Sequence, residues 1–310
     1  MLAKYKICQR LSEGSFGQVY RGEHLRTQEA VAIKVERVVP PDTAETSLAE
    51  TPPSIIKHEC KILYYLRDRG CLNVPEVIWW GKFETPDDHV TFRAMILPLF
   101  ESTLSTMIAS VISATLERDK MNSLISHWVT EMVRILQQVH DAGIVHRDIK
   151  PQNFMLRNGV LYLIDFGLAS VYVDEELHRH LPAKPVASHL LGTPKYVSVN
   201  VHEGIDPSRR DDMISVGYVW LFLLLGGRLP WDVFTPTDSV PCSADHNPPQ
   251  HHILHPVNQD RKSKKLNFHQ EPTVLTDYFA LLHGIDFDDR PDYPTLIRTI
   301  LTYTPSNTSV

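Results

Sequence analysis

Short runs of β-forming residues separated by turn residues open the chain and predict strands over residues 5–37. Val19–Tyr20 and Val31-Ala-Ile-Lys-Val35 are the clearest of them. The pattern breaks over Val39–Pro53, a stretch rich in Pro, Thr, Ala and acids, which predicts a loop longer than usual. Ile55, Ile56, Ile62, Leu63 and Leu66 then recur at helical spacing. They predict a helix from about Ser54 to Arg67, with Gly70 where a C-cap belongs. Strand-like text returns over Val77–Phe83 and Thr91–Leu97.

From there the periodicity turns helical. Leu124, Trp128, Met132, Leu136 and Val139 line one face of a long helix closed by Gly143. Phe154–Leu156, Asn158-Gly159 and Val160–Ile164 predict a β-hairpin, because Asn-Gly suits a type I′ turn with positive φ at both central residues. Met213–Leu225 reads as a buried apolar helix, and Tyr293–Leu301 as a last one. Residues 233–260, rich in Pro and His and without period, read as a flexible insertion. The plan is α+β: a small β-rich portion followed by a larger α-rich one.

Composition narrows the function classes. The 310 residues are 43% apolar and 22% charged, as in an ordinary globular chain. A net charge of −6 without a basic footprint argues against nucleic-acid binding. The longest apolar run, around Val216–Leu225, is too short to span a bilayer. No secretory leader is read at the start. Cys8, Cys60, Cys71 and Cys242 form no CxxC pair, which fits a reducing compartment. Cys242 with His246, His251, His252 and His255 shows no tetrahedral ligand spacing, so a loop is the plainer reading than a zinc site.

Four signals carry chemistry. Leu11-Ser-Glu-Gly-Ser-Phe-Gly-Gln-Val-Tyr20 places Gly14 and Gly17 between strand-like runs, where backbone N–H groups can approach phosphate oxygens. Alone it reads equally as a glycine-containing hairpin. Lys34 sits in an apolar strand and needs a partner if it is buried, which Glu59 on the next helix can supply. By itself, a lysine facing solvent is the simpler reading. His146-Arg-Asp-Ile-Lys-Pro-Gln-Asn153 gathers a carboxylate, two cations and an amide in a loop between a helix cap and a hairpin. Asp165-Phe-Gly167 ends the hairpin's apolar second strand.

Taken in order, Gly14-x-x-Gly17, Ala32-Ile-Lys34, Glu59, His146-Arg-Asp148, Asn153 and Asp165-Phe-Gly167 resemble the signature set of eukaryotic protein kinases. Asp148-Ile-Lys150-Pro resembles the Ser/Thr-specific form of the loop. Gly192-Thr-Pro-Lys-Tyr-Val-Ser-Val-Asn200, Ser208-Arg-Arg-Asp-Asp212, Gly217-Tyr218, Leu229-Pro-Trp231 and Arg290-Pro-Asp-Tyr293 are similar to the casein kinase I family. The vaccinia-related and tau-tubulin kinases, sister branches, remain as alternatives. The resemblance implies a bilobal kinase fold over 5–303, with a β-rich N-lobe at about 5–98 and an α-rich C-lobe at about 101–303.

It further implies an ATP- and Mg²⁺-dependent serine/threonine kinase acting on protein substrates, a monomer of the cytoplasm and nucleus. ATP would be handled by Leu11, Ser12, Glu13, Gly14, Ser15, Phe16, Gly17, Gln18, Val19, Ala32, Lys34 and Glu59. Leu97 would be the gatekeeper, Pro98, Leu99 and Phe100 the hinge, and Met155 would close the adenine pocket. Asp148 and Lys150 would be catalytic, and Asn153 and Asp165 would hold the metal. Arg147, Thr193 and Lys195 would form the substrate-facing anion region.

Two departures matter. Ser12 stands where the usual loop has a further glycine, which leaves a catalytically weak binding module as the competing reading. Lys195 replaces the family's arginine, and the usual lysines are Ser170 and Ser188, so the anion site reads as weakened. The basic run Arg261-Lys-Ser-Lys-Lys265 reads as a solvated loop.

Overall fold

β-Branched and aromatic residues along the first hundred positions assemble into one antiparallel sheet in the computed structural model. The structure describes residues 4–14, 17–38, 54–85, 89–113, 117–174, 176–177, 179–184, 190–232 and 273–302. The sheet has β1 (Tyr5–Gly14), β2 (Gly17–His24), β3 (Ala30–Arg37), β4 (Trp79–Glu84) and β5 (Thr91–Pro98) in the order β1-β2-β3-β5-β4. Period-two alternation divides its faces. Val31, Ile33, Val35, Ala94 and Ile96 form a buried cluster on one of them. Val19 pairs with Lys34, and Ala32 with Leu97, so these four side chains share the other face.

Helix α1 (Ile55–Asp68) starts where expected. The Ser54 hydroxyl accepts the Lys57 N–H, and Gly70 follows the C-cap at φ +82°. It buries Ile56, Ile62, Leu63 and Leu66, and with them Glu59.

The chain divides into two compact units. One holds residues up to Ser102 together with Met155–Ala169; the other holds Thr103–Phe154 and the residues from Ser170 on. The hairpin thus groups with the sheet, for reasons visible in its bonds. Leu163 N–H donates to Asn73 O, Asn73 Nδ2 donates to Leu161 O, and Glu101 N–H donates to Leu156 O. Its turn has φ of 52° at Asn158 and 74° at Gly159, as the Asn-Gly pair predicts.

The second unit is helical. After the two-residue strand β6 (Ser102–Thr103) come α2 (Leu104–Ser113) and α3 (Arg118–Asp141). Strand β7 (Ile144–Val145) follows, then a 3₁₀ turn (Pro151–Asn153), before the chain returns to the first unit for the hairpin strands β8 (Phe154–Arg157) and β9 (Val160–Leu163). Short strands β10 (Ser170–Val171), β11 (Val173–Asp174) and β12 (Arg179–His180) lead to helices α4 (Val199–His202), α5 (Arg209–Leu224), α6 (Thr273–His283) and α7 (Tyr293–Leu301). Residues 39–53 and 233–260, the basic run 261–265 and Ser188 lie outside the described residues.

Three expectations need amending. Helix α5 begins at Arg209, four residues before the apolar stretch, because Ser208 N–H donates to Asp211 Oδ2 at 2.9 Å and caps it. On α3 the deepest residue near its start is Ile125, while Leu124 is only half-buried. Helices α2, α4 and α6 were not among the elements that the periodicity predicts.

Helix α5 is buried on every side, with Met213, Val216, Tyr218, Val219 and Trp220 fully enclosed. A methyl group on Gly217 would come within 2.7 Å of Phe279 and 2.8 Å of Tyr278. Gly217→Ala is therefore expected to cost about 1–3 kcal/mol by overpacking. Chemical denaturation should show the loss as a lower midpoint at unchanged slope.

No described helix is long and apolar enough to cross a membrane.

Candidate active site

In the first unit, Leu11, Ser12, Glu13 and Gly14 lie on β1 and Gly17, Gln18 and Val19 on β2, with Gly14 opposite Gly17. Ser15 and Phe16, at the tip, lie outside the described residues. Gly17 has φ +112°, and a Cβ there would stand 2.4 Å from the Val35 carbonyl oxygen, so only glycine fits. Gln18 Nε2 donates to Glu13 Oε1 at 3.0 Å, and Arg10 pairs with Glu13 at 2.7 Å, tying the two strands' ends together.

Lys34 is buried, and this decides its reading. Its ammonium lies 2.7 Å from Glu59 Oε2 and 2.8 Å from Asp165 Oδ1. Burial alone would lower its pKa, but the two carboxylates more than offset that and hold it above the ordinary lysine range. Glu59 spends its other oxygen on the Phe166 N–H at 3.2 Å. Asp165 has φ +65°, a left-handed backbone that a non-glycine residue adopts only when its surroundings impose it. Leu97 and Pro98 end β5, and Leu99 and Phe100 follow. The Phe100 ring tilts against Tyr162 of the hairpin at 5.2 Å. Met155 sits on β8, half-buried.

In the second unit, Gly143 at φ +84° turns the chain out of α3 into β7 and the loop that follows. Asp148, almost fully buried, is the hub of that loop. Lys150 Nζ lies 2.6 Å from its Oδ2 and the Thr193 hydroxyl donates to its Oδ1 at 2.7 Å. Lys150 also reaches the Thr193 hydroxyl at 3.2 Å. Asn153 Nδ2 donates to the Asp148 carbonyl at 2.8 Å and to Oδ2 at 3.2 Å.

The residue that fixes this loop stands in the family-like run Ser208–Asp212, to which the sequence assigned no role. Asp212, the fourth residue of α5, accepts the His146 N–H at 2.8 Å on Oδ2 and the Arg147 N–H at 2.9 Å on Oδ1. Oδ2 also takes His140 Nε2 at 3.0 Å, while His140 Nδ1 lies 2.8 Å from the Tyr293 hydroxyl. Arg147, whose N–H makes one of these bonds, sits at φ +69°. Burial would raise the Asp212 pKa, but His140 and His146 outweigh it and keep the carboxyl below the usual range. A carboxylate directly before the apolar run of α5 was the available signal, since a buried charge demands partners.

The basic residues nearby are already matched. Lys195 Nζ pairs with Asp232 Oδ2 at 2.5 Å and stands 4.8 Å above the Phe222 ring. Arg147 lies 3.7 Å from Asp206 Oδ1, and burial pulls its pKa down.

Each unit carries a donor of a type that magnesium takes: the Asp165 carboxylate in the first and, in the second, the amide oxygen of Asn153, whose Nδ2 is committed to Asp148. No cluster of three or more His, Cys, Asp or Glu suited to a metal occurs among the described residues. The histidine-rich zinc candidate lies outside them.

The family model for the protein kinase domain matches residues 5–307 of the chain. The α+β architecture, a β-sheet unit and a helical unit, is the bilobal plan of that domain.

Proposed function

This chain belongs to the protein kinase family, and from that membership we propose that it is a serine/threonine kinase of the casein kinase I type. It moves the γ-phosphate of ATP onto protein hydroxyls. The observation that carries this reading is the buried Asp148 carboxylate, held between the Lys150 ammonium and an aliphatic hydroxyl, that of Thr193.

The roles follow from charge and position. Lys34, fixed by Glu59 and Asp165, contacts the α- and β-phosphates, and the backbone around Gly17 covers the β- and γ-phosphates. Leu11, Val19, Ala32, Leu97 and Met155 enclose the adenine, whose edge bonds the backbone of Pro98–Phe100. Asp165 and Asn153 would hold Mg²⁺, which neutralises phosphate charge when bound. Asp148 accepts the proton of the acceptor hydroxyl as that oxygen bonds the γ-phosphorus and the bond to the ADP leaving group breaks. Lys150 offsets charge on the transferred group. The intact Lys34–Glu59 pair and the organised Asp148 loop favour catalysis over a binding module, despite Ser12.

Substrate choice follows from the matched cations. Lys195 and Arg147 already face Asp232 and Asp206, so neither offers an uncompensated charge to an acidic or phosphorylated residue of a substrate. The enzyme acts as a monomer in the cytoplasm and nucleus, in keeping with the family resemblance.

A peptide array with Ser, Thr or Tyr acceptors, with and without an upstream phosphorylated residue, tests these points. Ser and Thr peptides are expected to be labelled and Tyr peptides not. Priming is expected to raise the rate by less than about tenfold, as for exposed and pre-paired charges. Tyrosine preference, or a strict need for priming, contradicts the proposal.

A further inference from the structure

Glu59 is not the only residue of α1 that grips the segment after β9. Ile55, His58 and Glu59 lie at positions i, i+3 and i+4 and so share one face of the helix. Each meets that segment. A methyl group on Gly167 would come within 3.0 Å of Ile55 Cγ2, so the backbone there lies close against the helix. Glu59 Oε1 takes the Phe166 N–H at 3.2 Å. His58 Nε2 lies 2.8 Å from the Ala169 carbonyl oxygen. A carbonyl only accepts, so the imidazole nitrogen is the donor.

We infer that His58 is a positioning residue: its N–H ties the Ala169 backbone to α1 and thereby sets the direction of the Asp165 carboxylate. The geometry supplies the reason. Glu59 holds the start of the segment to the helix through the Phe166 N–H. Ala169 is buried, and its carbonyl is the second anchor, three residues further on. Hydrogen bonds at Phe166 and Ala169 from one helix face fix the direction of the backbone between them. Asp165 precedes them at φ +65°, a conformation that persists only when the surroundings impose it. The Lys34–Asp165 distance of 2.8 Å is then a consequence of where α1 holds residues 166–169.

The inference rests on the phosphotransfer reading for its kinetic consequence but not for its structural one, so two measurements separate them. His58→Leu removes the donor while keeping an apolar body, and His58→Gln retains an N–H donor. In the nucleotide-free protein, hydrogen exchange of the peptide spanning residues 165–172 is expected to speed up in His58→Leu by about tenfold. That is the loss of roughly one hydrogen bond's net worth. His58→Gln is expected to stay within about threefold of the wild type on the same grounds.

In the transfer assay, His58→Leu is expected to lower kcat about tenfold and to raise the Mg²⁺ concentration needed for half-maximal rate. The melting temperature should move little, and His58→Gln should recover most of both. A residue that merely fills space would change the melting temperature and leave the Mg²⁺ dependence alone. Wild-type exchange in His58→Leu, or equal defects in Leu and Gln variants, overturns the inference. An inactive wild type with the expected exchange pattern would instead remove the kinase reading and leave the positioning role standing.

Discussion

Replacing Asp148 with Asn is expected to lower the rate of phosphoryl transfer about 10³-fold, the middle of the range for losing a positioned general base. The change is isosteric, so the loop should keep its shape. What disappears is the negative charge and the basic oxygen. Lys150 Nζ, 2.6 Å from Oδ2, loses its ion partner, and the Thr193 hydroxyl at 2.7 Å faces an amide in place of a carboxylate. An amide does not take up the proton of an acceptor hydroxyl. ATP affinity should change little, because the phosphates and adenine are assigned to side chains of the sheet unit. Single-turnover rates, read beside the dissociation constant for ATP, make the check. A variant rate within about threefold of the wild type would contradict the assignment of Asp148 as base.

The second large effect is expected at Asp212. Its two oxygens receive the backbone N–H groups of His146 and Arg147 and the His140 ring, all buried or nearly so. Asp212→Ala removes the charged acceptor that these donors share. Breaking such a buried charged network costs about 3–5 kcal/mol. Denaturant unfolding should show a stability loss of that size. The fraction that stays folded should also lose activity, because the Arg147 N–H, at a residue with φ of +69°, loses the Asp212 oxygen it donates to. Asp212→Asn keeps an acceptor and should lose less. Acid adds a signature. The folded-state pKa of Asp212 lies below its unfolded value. Its contribution is therefore complete above the ordinary aspartate range and is lost as pH falls through the lowered folded value. The acid limb of the wild-type stability curve should accordingly be steeper than that of Asp212→Asn.

What could be read from the text and what could not divides along sequence distance. The hairpin was legible because Asn158-Gly159 states its own backbone requirement, and the φ values of 52° and 74° answer it. Helix α1 announced itself through apolar spacing and Gly70 near its end, while the cap at Ser54 came from the fold. The start of α5 was hidden, since four charged residues precede its apolar stretch and the cap there depends on a Ser208–Asp211 pair. Within the site, Asp148, Lys150 and Asn153 were legible as one local run. Lys34 could be recognised only beside Glu59 and the residues that followed, because an isolated strand lysine usually faces water.

Residues that act across long gaps stayed silent. Asp212 meets His146 over 66 positions, and His58 meets Ala169 over 111. The pairing of Lys195 with Asp232 over 37 positions likewise follows from the fold alone. A local run can mark such a residue, as Ser208–Asp212 marks Asp212, but it does not name the distant partner.

The account is tested most directly by giving the purified wild-type protein ATP labelled on its γ-phosphate, with Mg²⁺ and casein, and identifying the labelled amino acids after hydrolysis. It predicts label on casein, recovered as phosphoserine and phosphothreonine. Label no greater than in an enzyme-free control, or label recovered as phosphotyrosine, would contradict it.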